Sequence, residues 1–344
     1  MQVETAPVHL FDTTRFTTEM RDSFGRTLTY LRVSVTDRCN MRCDYCRPSA
    51  SSYLAESHSD MLSYEEIVRI ISVAADLGVT KVRITGGEPL VRRDLPILIA
   101  QLSAITGIKD LALSTNAALL AEYARPLADA GLHRINVSLD SLCGERFRQL
   151  TGGDLQSVLR GIHAAKEAGL TPIKINCVLM RGVNDGEAAS MIDFAVESGA
   201  TIRFIELMPM KQGMDWQQHY ISVEEILARD DVRARVDISA AMGSGRWAAR
   251  YLPVRGSSLS VGFIMPMSDR FCAGCNRLRL TASGGLRSCL PADHQLNMRD
   301  LLRQGGSDDE IRALFLRAAL IKPEIGSYDF APTTVKRSMI QIGG

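Results

Sequence analysis

From Leu31 to about Met208 the chain repeats one pattern, a short run of strand-forming residues followed by a longer stretch of helical periodicity. The strand candidates are Tyr30–Thr36, Lys81–Thr85, Asp110–Ser114, Arg134–Leu139, Pro172–Leu179 and Thr201–Leu207. Between them, Glu65–Leu77, Leu95–Ile105, Leu155–Ala168 and Glu187–Ser198 carry apolar residues at helical spacing. Gly78, Gly131, Gly169 and Gly199 stand where a left-handed cap closes a helix. Parallel neighbours need a crossover long enough to hold a helix, so successive βα units predict a parallel sheet.

Strands buried on both faces read as continuous apolar runs, but several of these alternate. Val82 and Ile84 sit between Lys81, Arg83 and Thr85, and Ile135 and Val137 between Arg134, Asn136 and Ser138. Leu31, Val33 and Val35 likewise alternate with Arg32, Ser34 and Thr36, as Ile173 and Ile175 do with Lys174 and Asn176. If the apolar set faces the helices, the polar set lines a concave interior, whereas a closed TIM barrel fills its interior with branched apolar side chains. The expected fold is therefore α/β: a partial, open parallel β/α barrel of TIM type that holds a polar ligand. After Met210 the rhythm fades into loops and short strands between Gly243 and Pro266, a helix over Asp308–Leu320 and a polar tail ending in Gly343-Gly344.

The net charge of +1 shows no excess of base for a nucleic-acid partner. No apolar run approaches the roughly 20 residues of a membrane helix, and Met1–Phe24 lacks the apolar core of a secretory signal. The expectation is a cytoplasmic protein with neither membrane nor nucleic-acid partner. Disulfides are rare in that compartment, so the eight cysteines need another explanation. Six fall in two groups, Cys39, Cys43, Cys46 and Cys272, Cys275, Cys289, while the isolated Cys143 and Cys177 read as packing residues.

Cys39-x3-Cys43-x2-Cys46 follows the first strand, at the end where barrel loops build active sites. A zinc site lacks a nearby fourth ligand, His58 being twelve residues further on, and a thioredoxin-like pair would leave Cys39 idle. Three thiolates on a cubane iron–sulfur cluster leave one iron for another ligand. With Tyr45 before the last cysteine, the motif resembles the radical S-adenosylmethionine superfamily signature. That resemblance implies an open iron chelated by S-adenosylmethionine, which one electron cleaves to a 5′-deoxyadenosyl radical. Thr85-Gly86-Gly87-Glu88-Pro89 is similar to the superfamily turn that receives the methionine amino group. Its glycines allow close backbone approach and Glu88 offers acceptors for an ammonium.

Cys272-x2-Cys275-x13-Cys289 is again a set of three, open to a cluster or to zinc completed by His294. Arg277 and Arg279 share one side of an extended segment beside it. Arg32, Arg83, Lys174 and Arg203 would add further cations to the lumen. Their mutual repulsion points to an anionic, polyphosphate ligand, each charge-assisted bond contributing about 1.5–3 kcal/mol.

TDRCNMRCDYC, TGGEP, VSLD, IKINCVLM, IRFIELMPM, CNRLRL and the terminal Gly-Gly, spread from about Phe24 to Gly344, together resemble the GTP 3′,8-cyclase family of molybdenum cofactor biosynthesis. The resemblance implies two [4Fe-4S] clusters, S-adenosylmethionine at the first and GTP facing the second. In that family the adenosyl radical removes the ribose C3′ hydrogen and the carbon radical closes onto guanine C8. A cyclic pyranopterin monophosphate synthase takes the product, the reductant is an unspecified protein, and a homodimer is compatible with the sequence. The implied metal ligands are Cys39, Cys43, Cys46, Cys272, Cys275 and Cys289. Tyr45, Gly87, Glu88, Ser138 and Met208 are the implied cofactor contacts. Arg32, Arg83, Ser114 or Thr115, Lys174, Arg203, Arg277, Leu278 and Arg279 are the implied substrate contacts. Arg277, Arg279, Gly343 and Gly344 form the implied catalytic set, the glycines as a tail reaching the active site. Ala117 departs from the glycine common in the family. The expected division is an extension over 1–23, the barrel over 24–250 and the auxiliary-cluster region with its tail over 251–344. A radical S-adenosylmethionine enzyme that matures peptides and a non-catalytic zinc module are the rival readings.

Overall fold

A computed structural model of the chain describes residues 19–47, 55–210, 214–240, 248–326 and 339–343. The barrel runs β1 (Tyr30–Ser34), α1 (Tyr64–Asp76), β2 (Lys81–Thr85), α2 (Leu95–Ser103), β3 (Asp110–Thr115), α3 (Leu120–Asp129) and β4 (Arg134–Ser138). It continues through α4 (Gly144–Thr151), α5 (Leu155–Glu167), β5 (Lys174–Leu179), α6 (Ala188–Ser198) and β6 (Thr201–Glu206). Helix α1 shows why these stretches are helical. Ser63 accepts from the Glu66 amide while Glu66 caps back, and Ile67, Ile70, Ile71 and Ala74 bury one stripe.

Strands β1 to β6 are parallel and consecutive in one sheet that, among the described residues, has eleven strands and does not close on itself, so the barrel is open as expected. The later segment contributes β7 (Arg250–Pro253), β8 (Ser260–Ile264), β9 (Arg277–Leu280), β10 (Gly285–Arg287) and β11 (Leu296–Asn297). Strand β8 adds parallel to β6, with β7 outside it, and β9 adds parallel to β1, with β10 and β11 beyond. Residue 250 is thus the first residue of β7, and the chain after it extends both edges of the barrel's own sheet.

Register makes the lumen. Arg32 lies opposite Arg83 on β2 and opposite Arg279 on β9, while Ser114 pairs with Asn136. The alternate residues Leu31, Val33, Val82, Ile84, Ile135 and Val137 are buried in the core under the helices. A β-strand sends successive side chains to opposite faces, so one register puts the whole apolar set outside and the whole polar set inside.

Candidate active site

The lumen is a cavity of about 660 Å³, and all six cysteines of the two triads line it. Cys39, Cys43 and Cys46 sit on the loop after β1. The Arg42 amide donates to the Thr151 carbonyl and the Asp44 amide to that of Leu150, which ties this loop to the end of α4. The Met41 amide and Asn116 Nδ2 donate to Cys39 Sγ at 3.4 and 3.8 Å. Burial raises the Cys39 thiol and pushes Cys43 well up, with Cys46, Asp140 and Cys39 adding to the rise at Cys43. Metal binding here must therefore displace protons. In the second triad, burial raises Cys289, whereas at Cys275 Arg277 and Lys322 outweigh burial and bring the thiol down to about 7. Among the described residues no three His, Cys, Asp or Glu side chains gather round a single point. In a cubane each thiolate binds its own iron, so ligands stand further apart, and thiols with N–H···S support suit that donor set.

The Gly86-Gly87 turn crosses the cysteine loop at close range. The Gly87 amide donates to Thr36 O at 2.7 Å and the Glu88 amide to Arg38 O at 2.8 Å. A Cβ on Gly87 would lie 2.3 Å from Arg38 O. Gly87, Tyr45, Ser138 and Met208 all line the cavity, with the Tyr45 hydroxyl donating to Asp140 at 2.8 Å. Glu88 does not line it. Its carboxylate accepts from the Leu90 and Asn116 amides and from the Thr115 hydroxyl, and burial raises its pKa to about 7 against those donors.

Arg32, Arg83, Ser114, Thr115, Lys174, Arg203, Arg277 and Arg279 are brought together on the wall, Arg32, Arg83 and Lys174 as the alternation predicts. Leu278 is not among them, because its side chain is in the core. Burial lowers Arg32 well below its usual range, with Arg279 the largest charged contributor. Burial, then Arg203, Arg134 and Arg83, brings Lys174 down to about 8. Burial and Arg83 bring Arg203 to about 10, and its Nε is buried without a hydrogen-bond partner among the described residues. Gly262 on β8 leaves room for that arginine, since a Cβ there would lie 2.7 Å from Arg203 Cγ. Thr115 is committed to Glu88 and the Ala117 amide, whereas Ser114 faces the lumen with the other polar positions.

Several wall residues escaped the motifs. Tyr30 accepts from Arg83 Nε at 2.5 Å, and Arg83, Arg32 and Arg277 outweigh burial to bring its phenol down to about 8. Its place at the start of β1, two residues before Arg32, was the available signal. Asn136 and Asn176, which the alternation assigns to the interior, line the cavity as expected. Lys322 reaches the second triad from outside every motif. The tail helix Met339–Ile342 packs Ile342 beside Met210, and Arg279 donates to Gly343 O. Gly344 lies outside the described residues.

An open parallel barrel with a three-cysteine loop after its first strand and a glycine pair after its second defines a radical S-adenosylmethionine enzyme. Residues 33–195 match the Radical SAM superfamily and residues 200–328 match Molybdenum Cofactor Synthesis C. The fold is shared with Streptococcus suis SuiB. The TM-score is 0.59 to the form bound to S-adenosylmethionine, at 17% identity over 84% of this chain and 69% of that one. It is 0.61 to the form bound to precursor peptide SuiA, at 16% identity over 91% and 76%. The chain belongs to the GTP 3′,8-cyclase family. It is 42% identical to that enzyme of Hydrogenovibrio crunogenus over 94% of this chain and 99% of the relative. It is also 42% identical to that of Thermodesulfovibrio yellowstonii and 43% to that of Moorella thermoacetica, each over 94% of this chain and 100% of the relative.

Proposed function

We propose that this chain is a radical S-adenosylmethionine lyase that converts GTP to (8S)-3′,8-cyclo-7,8-dihydroguanosine 5′-triphosphate, the first step of molybdenum cofactor biosynthesis. The observation that carries this is one cavity walled by two cysteine triads and by Arg32, Arg83, Lys174, Arg203, Arg277 and Arg279. Cys39, Cys43 and Cys46 would hold the cluster that takes S-adenosylmethionine, and Cys272, Cys275 and Cys289 the second [4Fe-4S] cluster. When bound, the first cluster and S-adenosylmethionine supply the radical that removes the ribose C3′ hydrogen. The protein's own contribution is orientation. Gly87, Ser138 and Met208 bound the cofactor end, and the Tyr45 side chain is held by its hydroxyl donating to Asp140. The arginines and Lys174 neutralise the triphosphate in a buried site, where an unpaired cation is costly. Ser114, rather than Thr115, offers its hydroxyl to GTP.

Free thiols that would hold iron–sulfur clusters suit a reducing compartment, which supports a cytoplasmic location. No described helix is long and apolar enough to cross a membrane. A cyclic pyranopterin monophosphate synthase would take the product. Anaerobically reconstituted protein with reductant and S-adenosylmethionine should form 5′-deoxyadenosine in a GTP-dependent manner. A peptide-maturing enzyme would bind GTP no worse after Arg277→Ala, whereas a cyclase loses GTP affinity. Reconstituted protein that makes no deoxyadenosine with GTP defeats the proposal.

A further inference from the structure

Lys322 is 3% exposed, follows helix Asp308–Leu320, and is held by its own amide donating to Ala319 O. Its ammonium donates to Arg277 O at 2.9 Å and to Ser288 O at 2.7 Å, and lies within hydrogen-bonding reach of Cys275. An ammonium has three N–H donors and no acceptor, so these three groups use all of them. Each acceptor belongs to the segment that carries the second triad: Cys275 itself, Arg277 two residues on, and Ser288 next to Cys289. Among the described residues no carboxylate pairs with Lys322. Cys275 and Cys289 favour its charge, and Arg26 opposes it.

The residues just beyond continue this stitching. The Gly326 amide donates to Cys272 Sγ at 3.5 Å, and a Cβ on Gly326 would lie 3.2 Å from Cys289 Sγ. Arg26 binds Cys272 O together with the carbonyls of Pro323 and Glu324. The short stretch 322–326 therefore contacts all three cysteines. A buried cation without a carboxylate is costly unless another negative group faces it, and here that group is the thiolate set.

We infer that Lys322 is a positioning residue and a fixed counter-charge for the second cluster, joining the segments of Cys275 and Cys289 and favouring the cluster's reduced form. This rests on the reading that the second triad holds an iron–sulfur cluster. A cubane with three thiolates is negatively charged and becomes more so on reduction, and its potential depends on net charge and on hydrogen bonds to sulfur. Removing the ammonium should therefore move the potential to more negative values or release the cluster.

The test compares full-length Lys322→Met and Lys322→Arg, reconstituted anaerobically, by iron content and by redox titration of each cluster followed by electron paramagnetic resonance. Lys322→Arg should keep both clusters near the parent's potentials. Lys322→Met should either retain half of the iron, the first cluster surviving, or keep all of it with only the second potential shifted negative. Full iron with an unchanged second potential in Lys322→Met overturns the inference. So does loss of the second cluster from both variants, which would make side-chain shape decisive instead of charge. A parent protein that takes up only one cluster overturns the two-cluster reading itself, and the inference with it.

Discussion

Arg279 Nη1 donates a hydrogen bond to the carbonyl oxygen of Gly343 at 2.9 Å, so a wall cation holds the chain's C-terminal tail. Gly343 adopts φ +71°, and a Cβ there would lie 3.0 Å from that of Ser34 at the end of β1. A left-handed conformation costs an alanine about 1–2 kcal/mol, which is roughly 5- to 30-fold in the docked population. Gly343→Ala should lower product formation by about that factor and leave the iron content unchanged. Parental turnover in the variant would separate the tail from the chemistry.

Arg203 gives two effects of opposite sign. Its charge is buried near Arg83, and its Nε is without a partner among the described residues, so the empty protein carries a repulsion that a triphosphate relieves. Arg203→Met should raise the melting temperature without GTP. It should also weaken GTP binding by about 10- to 150-fold, corresponding to the loss of a charge-assisted bond of about 1.5–3 kcal/mol. Calorimetric titration and thermal unfolding check the pair. A lower melting temperature with unchanged affinity would make Arg203 a structural cation.

Lys174 and Tyr30 make GTP affinity depend on pH. Both are brought down to about 8, Lys174 by burial and then Arg203, Arg134 and Arg83, opposed by Asp110, and Tyr30 by Arg83, Arg32 and Arg277 against burial. As pH rises through about 8 the lumen loses an ammonium and gains a phenolate, so affinity for the triphosphate should fall. Stability of the empty protein should move the other way. The unfolded chain keeps both protons up to their ordinary values, so folding is favoured increasingly from about pH 8 to about pH 10. Tyr30→Phe should reduce both slopes, as measured by GTP titrations on either side of pH 8 and by thermal unfolding.

The sequence carried the barrel because period-two alternation is a direct record of which face each residue meets, and register then places Arg32, Arg83, Ser114 and Lys174 inside together. It also carried the two triads, since their spacing is local. Contacts between distant segments left no such record. Nothing in the run Ile321-Lys322-Pro323 says that its ammonium meets Arg277 O and Ser288 O. The split into a barrel and a later region did not foresee β8 and β9 adding to opposite edges of one sheet. Ala117 takes φ 62° and is fully buried. Its carbonyl lies where a Cβ on Gly161 would come within 2.4 Å, so the glycine that this contact requires is on α5.

Glu88 is where motif and structure diverge, and one substitution separates their claims. As a cofactor ligand it would lend acceptors to the methionine ammonium. In the fold, both oxygens receive protein donors, the Leu90 amide at 3.0 Å, the Thr115 hydroxyl at 2.7 Å and the Asn116 amide at 2.6 Å. Glu88→Gln keeps the shape but turns an NH2 toward one of these donors, leaving buried groups unsatisfied at about 1–3 kcal/mol. The variant should therefore melt at lower temperature in the absence of S-adenosylmethionine, with cofactor affinity falling only as far as the disturbed turn carries Gly87 with it. An unchanged melting temperature beside a large loss of cofactor affinity would return Glu88 to the cofactor, and would require its carboxylate to release Thr115 and Asn116 when S-adenosylmethionine binds.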